Sequence, residues 1–318
     1  MVNEEFDFYS KVALKSYNLD EKIRYQLSML DSLDAYTRRH SENVANITCR
    51  LCEKLKLDEG FTIYCTTCGY LHDLGKMFIP PSILQKPTKL TDEEYETMKT
   101  HTTIGYKMCM KDPKLRPYAA GALYHHEGLD GSGYPNGLTA SKIPYEAQII
   151  RVADEFEAIT AKRQYKTHIG IVETLNILIN NAKPSARESV IDKVAGIKVM
   201  VTEGRVGKID KNVLRALFKV VIDDTEYEIS ARMSYVDYLE GEIKRVKTAL
   251  EYYNKMEKAK SEKKKAYFRE GARLCLRKNE EVEAIPEMYT EFNEALKARK
   301  EHIKKLYDEE KQIKKLSI

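Results

Sequence analysis

No segment of this 318-residue chain approaches the roughly 18 consecutive apolar residues that suggest a membrane span. The N-terminal stretch MVNEEFDFYSKVALKSYNLDEK lacks both the basic start and the continuous apolar core of a signal peptide. A cytoplasmic location without membrane contact is therefore expected. Charge of one sign is lacking as well. Against 53 Lys and Arg stand 49 Asp and Glu, a formal balance of +4 whose basic excess lies in the C-terminal third, so residues 1–180 carry no basic stripe. That balance gives no support to nucleic-acid binding and leaves an acidic substrate open. The 42% of hydrophobic residues is enough for a soluble protein with a sizeable core.

Cysteine is sparse but patterned. Cys49, Cys52, Cys65 and Cys68 form two C-x2-C pairs twelve residues apart, with Cys109 and Cys275 elsewhere. On spacing alone the pairs could make a structural zinc site or, in an oxidising compartment, two disulfides. Their surroundings argue instead for core packing. Val44, Ile47, Thr48, Leu51, Cys52 and Leu55 recur at helical spacing, as do Tyr64, Cys68 and Leu71, and no Gly or Pro knuckle lies within either pair.

Five of the seven histidines stand in one ordered set: His40, His72 followed by Asp73, His101, and the adjacent His125 and His126, with Asp154 further on. A neutral imidazole offers one ring nitrogen to a metal and a carboxylate can bridge two. Many His with few Asp therefore suits a pair of first-row transition ions. Apolar periodicity predicts helices over residues 20–35, 41–57 and 147–161, and a helix starting at Asp58-Glu59 that ends on the His72-Asp73 pair. Gly75 reads as its stop, Thr91 to Glu94 as a capping box opening a helix that carries His101, and residues 128–138, rich in glycine, as a loop. Two adjacent histidines cannot point the same way on regular structure, so His125 and His126 as joint ligands require a helix end or kink, for which Gly128 and Gly131 give room.

The segments His40-Ser41, HDLGK at 72–76, HTTIG at 101–105, HHE at 125–127 with DGSGYP at 130–135, VADEFEAIT at 152–160 and Arg163-x-Tyr165-Lys166 resemble, in order and interval, the HD-GYP family of metal-dependent phosphodiesterases, a branch of the HD phosphohydrolases. The resemblance runs from about residue 30 to about 180. It implies an all-α bundle, in agreement with the periodicity, and a cyclic dinucleotide as substrate. It further implies that His40, His72, Asp73 and Asp154 hold one metal and Asp73, His101, His125 and His126 a second, with Asp73 bridging and taking part in catalysis. Two cations beside a bridging water make hydroxide available at neutral pH and neutralise charge building on phosphorus. Lys76 would place a positive charge near the scissile phosphate, and Arg163, Lys166 and Tyr134 would contact substrate. Glu127 and Asp130 would accept from ligand ring N–H groups. Solvated charge is the alternative for Lys76, Arg163 and Lys166, and loop stiffening for Tyr134-Pro135. His168 and His302 lie outside the motif and read as surface residues.

Departures from the family pattern fall around the ligands rather than on them. Gly128-Leu129 follow HHE where members often have a basic residue and a Trp, a residue this chain lacks altogether. Gln164 replaces a proline, Glu157 an aspartate, and Tyr36 the glutamate of three-metal members. Two metals are expected, with iron, manganese, zinc and nickel all compatible. The Gly128-Leu129 change bears on substrate preference.

Residues 207–214 resemble the family's last helix start, preceded by an unusually long connection at 183–205. From about 228 the composition turns to Lys, Glu, Tyr and Leu. Val236, Leu239, Ile243, Val246, Leu250 and Tyr253, then Ile285, Tyr289, Phe292, Leu296, Ile303 and Leu306, recur three and four apart. Residues 1–227 are therefore expected to form the catalytic bundle, with its motifs in 36–166, and 228–318 a charged helical hairpin or coiled-coil arm for homodimerisation or regulation. Lys258 to Lys265 reads as a solvated link within that arm. The expected activity is hydrolysis of cyclic di-GMP to pGpG, with further cleavage to GMP left open. Cyclic GMP-AMP or another phosphoester is the alternative substrate, and a catalytically idle nucleotide-binding scaffold the alternative of a different class.

Overall fold

The computed structural model describes residues 35–161, 169–184 and 206–316. All but the last residue of the predicted helix at 20–35, residues 185–205, and Arg163, Lys166 and His168 lie outside them. The described residues are all-α, with an isolated bridge between Asp130 and Thr139 in place of any strand. They cluster into two compact units, one over residues 35–221 and the other over Ile222–Lys314.

In the first unit α1 (Ala35–Lys54) packs on α2 (Glu59–Leu71). Asp58 caps α2 by accepting from the Phe61 amide at 2.9 Å, as its position before an acidic first turn predicts. His72 is the C-cap, and Asp73 leaves the helix at φ −96°. Val44, Leu51, Cys52, Cys65, Cys68 and Leu71 are fully buried between these two helices and their neighbours, each worth about 1–3 kcal/mol of burial for the larger side chains. All six cysteines are free thiols, and none of them joins a metal-ligand cluster among the described residues.

Gly75 does not end the chain's helical path; it lies in a short 3₁₀ turn, Leu74–Phe78, directly against the start of the His101 helix. A Cβ on Gly75 would stand 1.9 Å from the His101 carbonyl oxygen and 2.6 Å from the Gly105 amide. The glycine serves close backbone approach rather than termination. After the one-turn helix Pro81–Leu84, the predicted capping box is present: Thr91 and Glu94 bond reciprocally at the start of α3 (Asp92–Lys99). Here the expectation needs correction. The helix stops at Thr100, and His101 opens a new one, α4 (His101–Lys111), so the ligand candidate sits at a helix junction.

The short α5 (Ala119–Tyr124) ends with His125 as its C-cap, which gives the two adjacent histidines the helix end they require. Then come the 128–138 loop, α6 (Tyr145–Thr160) and α7 (Ile171–Ala182). In α6 the buried Ile149, Ile150, Val152 and Ala153 fix the register that carries Asp154 inward. Asp210 accepts from the amides of Asn212 and Val213 and so starts α8 (Lys211–Glu257), whose Val213, Leu214 and Leu217 are buried.

The second unit comprises the remainder of α8 with α9 (Glu262–Leu274) and α10 (Ile285–Lys315). Leu239, Val246 and Ala249 cluster with Ala272, Val282, Ile285 and Phe292, while Ile229 and Val236 meet Ile303 and Leu306. That pairing is antiparallel. The solvated link is shorter than read from the lysines, because Ser261 caps a helix that already begins at Glu262. Arg245 closes this unit, bonding Glu280 at 2.6 and 2.7 Å and Glu242 at 2.6 Å.

Candidate metal centre

The five histidines and two aspartates, more than a hundred residues apart at the extremes, meet in one place. His40, His72, Asp73, His101 and His125 are at most 4% exposed, Asp154 is 8% exposed and His126 is partly buried. Their orientation follows from the helices that carry them. His72 Nδ1 donates to the Gly69 carbonyl at 2.7 Å, His101 Nδ1 to Met98 at 2.7 Å, and His125 Nδ1 to Gly121 and Ala122 at 3.1 Å each. Each ring is thereby tied to a carbonyl one turn back and turns its Nε2 lone pair inward. His40 obtains the same orientation from a carboxylate: its Nδ1 bonds Glu157, which also accepts from Asn43 at 3.0 Å.

Asp73 divides the set. Its Oδ2 lies 3.5 Å from His40 Nε2 and 3.3 Å from His72 Nε2, whereas its Oδ1 lies 3.4 Å from His101 Nε2 and 3.9 Å from His125 Nε2. Asp154 Oδ1 is 3.1 Å from His40 Nε2, and its Oδ2 is 3.9 Å from His126 Nδ1. Two compact groups result, His40-His72-Asp73 and His101-His125-His126, each with ligand atoms within 4.8 Å of one another. Bonds of roughly 2.1 Å to one cation would separate adjacent donors by about 3.0–3.4 Å, the scale of these contacts.

The protonation states of the second group suit the same use. Burial pushes His101 down to about 4, and His125 and His126 well below the ordinary imidazole value, so three rings are neutral. Burial would lower His40 too, but hydrogen bonds to Asp154 and Glu157 outweigh it and raise the ring to about 9, so a cation bound at its Nε2 would displace a proton there. Burial would raise Asp73 and Asp154. The adjacent imidazoles, with Lys76 for Asp73, overcome it and hold both carboxyls well below the usual range. His72 Nε2 and Asp73 Oδ1, on opposite sides of the divided set, are buried without a hydrogen-bond partner, a costly arrangement that a cation on each side would relieve. The donor set therefore fits divalent metal ions.

Lys76 reaches Asp73 Oδ2 at 2.5 Å and remains partly exposed. Tyr134 stacks on His126, with ring centroids 4.7 Å apart and planes at 26°, because the loop folds back to bond Tyr134 N to His126 O at 3.2 Å. Gly133 permits this: a Cβ there would lie 2.2 Å from Gly128 N. Tyr36 stacks on His40 at 6.3 Å. His302, in the other unit, is exposed and 3.7 Å from Glu228.

Two expectations about the surrounding residues are corrected. Glu127 accepts from the amides of Asn136 and Leu138 at 2.7 and 2.8 Å, and Asp130 from Ser132, so both close the loop rather than hold a ligand ring. The carboxylate that orients a ring is Glu157. It lies one turn beyond Asp154 on the same face of α6, a spacing that could have disclosed it. Leu129 turns inward against Ile143 and Ala147, so its side chain packs in the core rather than lining the site. Arg151 was also missed; it donates to the carbonyls of His126 and Glu127 and to Glu155, pinning the chain beyond the histidine pair.

The chain belongs to the HD domain family, whose model matches residues 25–186. A cyclic di-GMP phosphodiesterase of Thermotoga maritima is 43% identical over 146 residues, 44% of this chain and 40% of that protein. The cyclic di-GMP phosphodiesterase response regulator RpfG of Xanthomonas campestris is 39% identical over 154 residues, 46% of this chain and 41% of that one. A 3'3'-cGAMP-specific phosphodiesterase of Vibrio cholerae is 33% identical over 153 residues, 48% of this chain and 33% of that one. The chain thus spans well under half the length of these relatives, which are consistent with the HD-GYP branch read from the motifs.

Proposed function

We propose that this chain is a metal-dependent phosphodiesterase that hydrolyses cyclic di-GMP to linear pGpG. The observation that carries this reading is the division of the donors by the two oxygens of Asp73, with His40 and His72 on one side and His101 and His125 on the other. His40, His72, Asp73 and Asp154 would hold one divalent ion and Asp73, His101, His125 and His126 the other, iron or manganese first, zinc or nickel next. Such a pair supplies, when bound, a nucleophile from water at neutral pH and neutralises charge on phosphorus.

The chain's own groups bind and orient. Lys76, with its ammonium beside Asp73, is placed to meet a phosphate oxygen, and Tyr134 walls the site next to His126. Arg163 and Lys166 would grip substrate phosphates. Residues 1–227 would form the catalytic region. Residues 228–318 would serve homodimerisation or regulation, in a cytoplasmic protein without membrane or nucleic-acid partners. No described helix is long and apolar enough to cross a membrane.

Cyclic GMP-AMP is the second reading, favoured by the 33% identity to the Vibrio cholerae 3'3'-cGAMP-specific enzyme. The test is hydrolysis of cyclic di-GMP and cyclic GMP-AMP by the wild-type chain and Asp73→Ala, with metal analysis of anaerobically purified protein. Metal-loaded wild type that cuts neither would leave the nucleotide-binding scaffold as the better account.

A further inference from the structure

Next to the metal centre lies a set of rings of which the phosphodiesterase reading uses Tyr134 alone. Tyr134, stacked on His126, is met edge-on by Tyr95 at 6.4 Å with the planes at 80°. Tyr95 and Lys99 are four residues apart on α3 and so share a face. The Lys99 ammonium lies 5.3 Å from the Tyr95 ring centroid and 5.7 Å from that of Tyr134, and its other partner is Glu96 at 2.6 Å. The cation thus holds the two rings together, each contact worth about 0.5–1 kcal/mol at a site of this exposure. Tyr134 is half-buried, with one face on His126. Tyr95 is 48% exposed, an aromatic surface beside the site that no packing requirement explains.

We propose that Tyr95 is a substrate-contacting residue whose open ring stacks a nucleobase of the dinucleotide, with Lys99 as the positioning residue that fixes the ring against Tyr134. This deepens the phosphodiesterase reading and rests on it. The metal centre and the cations assigned to phosphate act on the diester alone, whereas a cyclic dinucleotide also carries two bases that must leave water for some surface. An aromatic ring offers that surface to either purine, because every base has a π-face. The subsite therefore separates nucleotides from small phosphodiesters and is indifferent to guanine versus adenine.

The test uses the full chain loaded with manganese, with cyclic di-GMP, cyclic GMP-AMP and the base-free diester methyl p-nitrophenyl phosphate as substrates. For Tyr95→Ala, KM for both dinucleotides is expected to rise about 5- to 150-fold, with a much smaller change in kcat and a much smaller loss on the small diester. Tyr95→Phe should restore KM, and Lys99→Met should raise it by less than Tyr95→Ala does. Wild type that cuts the dinucleotides while Tyr95→Ala keeps an unchanged KM overturns this inference and leaves the phosphodiesterase reading intact. Wild type that cuts only the small diester and is not inhibited by the dinucleotides, or that cuts nothing, overturns both.

Discussion

Replacing Glu157 by alanine removes the group that orients His40. Glu157 is 6% exposed and its two oxygens are committed, one to His40 Nδ1 and one to Asn43 Nδ2. Without it the His40 ring keeps its place on α1 but loses the acceptor that holds Nδ1, so Nε2 is no longer fixed toward Asp73 and Asp154. Loss of such an outer partner costs metal sites roughly 10- to 100-fold in affinity, or about 1.4–2.7 kcal/mol. Leaving a buried donor unpaired costs about 1–3 kcal/mol, so the loss falls on stability as well as on binding. Glu157→Asp keeps the carboxylate and should lose under tenfold; Asn43→Ala removes one of its two bonds and should lose less still. The measurement is competitive metal titration of each variant, with the melting temperature followed in excess chelator to separate folding from binding. Equal metal affinity in wild type and Glu157→Ala, at unchanged fold, would refute the orienting role.

Gly75→Ala should destabilise the first unit by about 1–3 kcal/mol and loosen metal binding, since its Cβ would displace the His101 carbonyl from 1.9 Å; urea unfolding and metal titration read the two effects, and a neutral result would mean the approach is not that close. Chelation should lower the melting temperature, because an ion at a hundredfold its dissociation constant stabilises the folded state by about 2.7 kcal/mol, and a melt indifferent to chelator would count against a metal centre. In the second unit, burial would raise the Glu280 carboxyl, but hydrogen bonds from Arg245 and the Arg277 amide hold it below its usual 4.5. A depressed folded pKa adds stability that is present above the unfolded value and disappears as pH falls through the folded one. The pair is partly solvated, so Arg245→Met should cost only about 1 kcal/mol at pH 7, with the gap to wild type closing below pH 4.5, followed by thermal melts between pH 7 and pH 3.

Periodicity disclosed α1, α2, α6 and the two long helices of the second unit, because each must bury an apolar stripe that recurs every three to four residues. Caps at Asp58 and Thr91 were legible for a similarly local reason: an N-cap bonds an amide two or three residues on. The break at Thr100 was not, because capping signals mark where a helix may start and leave its end to packing, here the approach of Gly75 to His101. Glu127 was given the ring-orienting role that Glu157 fills. Proximity in sequence suggested Glu127 for the histidines next to it, while the ring that needed a carboxylate, His40, found one 117 positions away.

What the sequence determined by itself was the donor stock and its order: five imidazoles and two carboxylates, at intervals that place each on a helix or at its end. Side-chain chemistry and local periodicity belong to residues and their near neighbours, and a sequence displays both. Only the tertiary structure decided which oxygen of Asp73 faces which histidines, which carboxylate orients His40, and that Tyr95 stands beside Tyr134. These depend on distances between helices, and those are set by how buried side chains and bare glycines let the backbones approach.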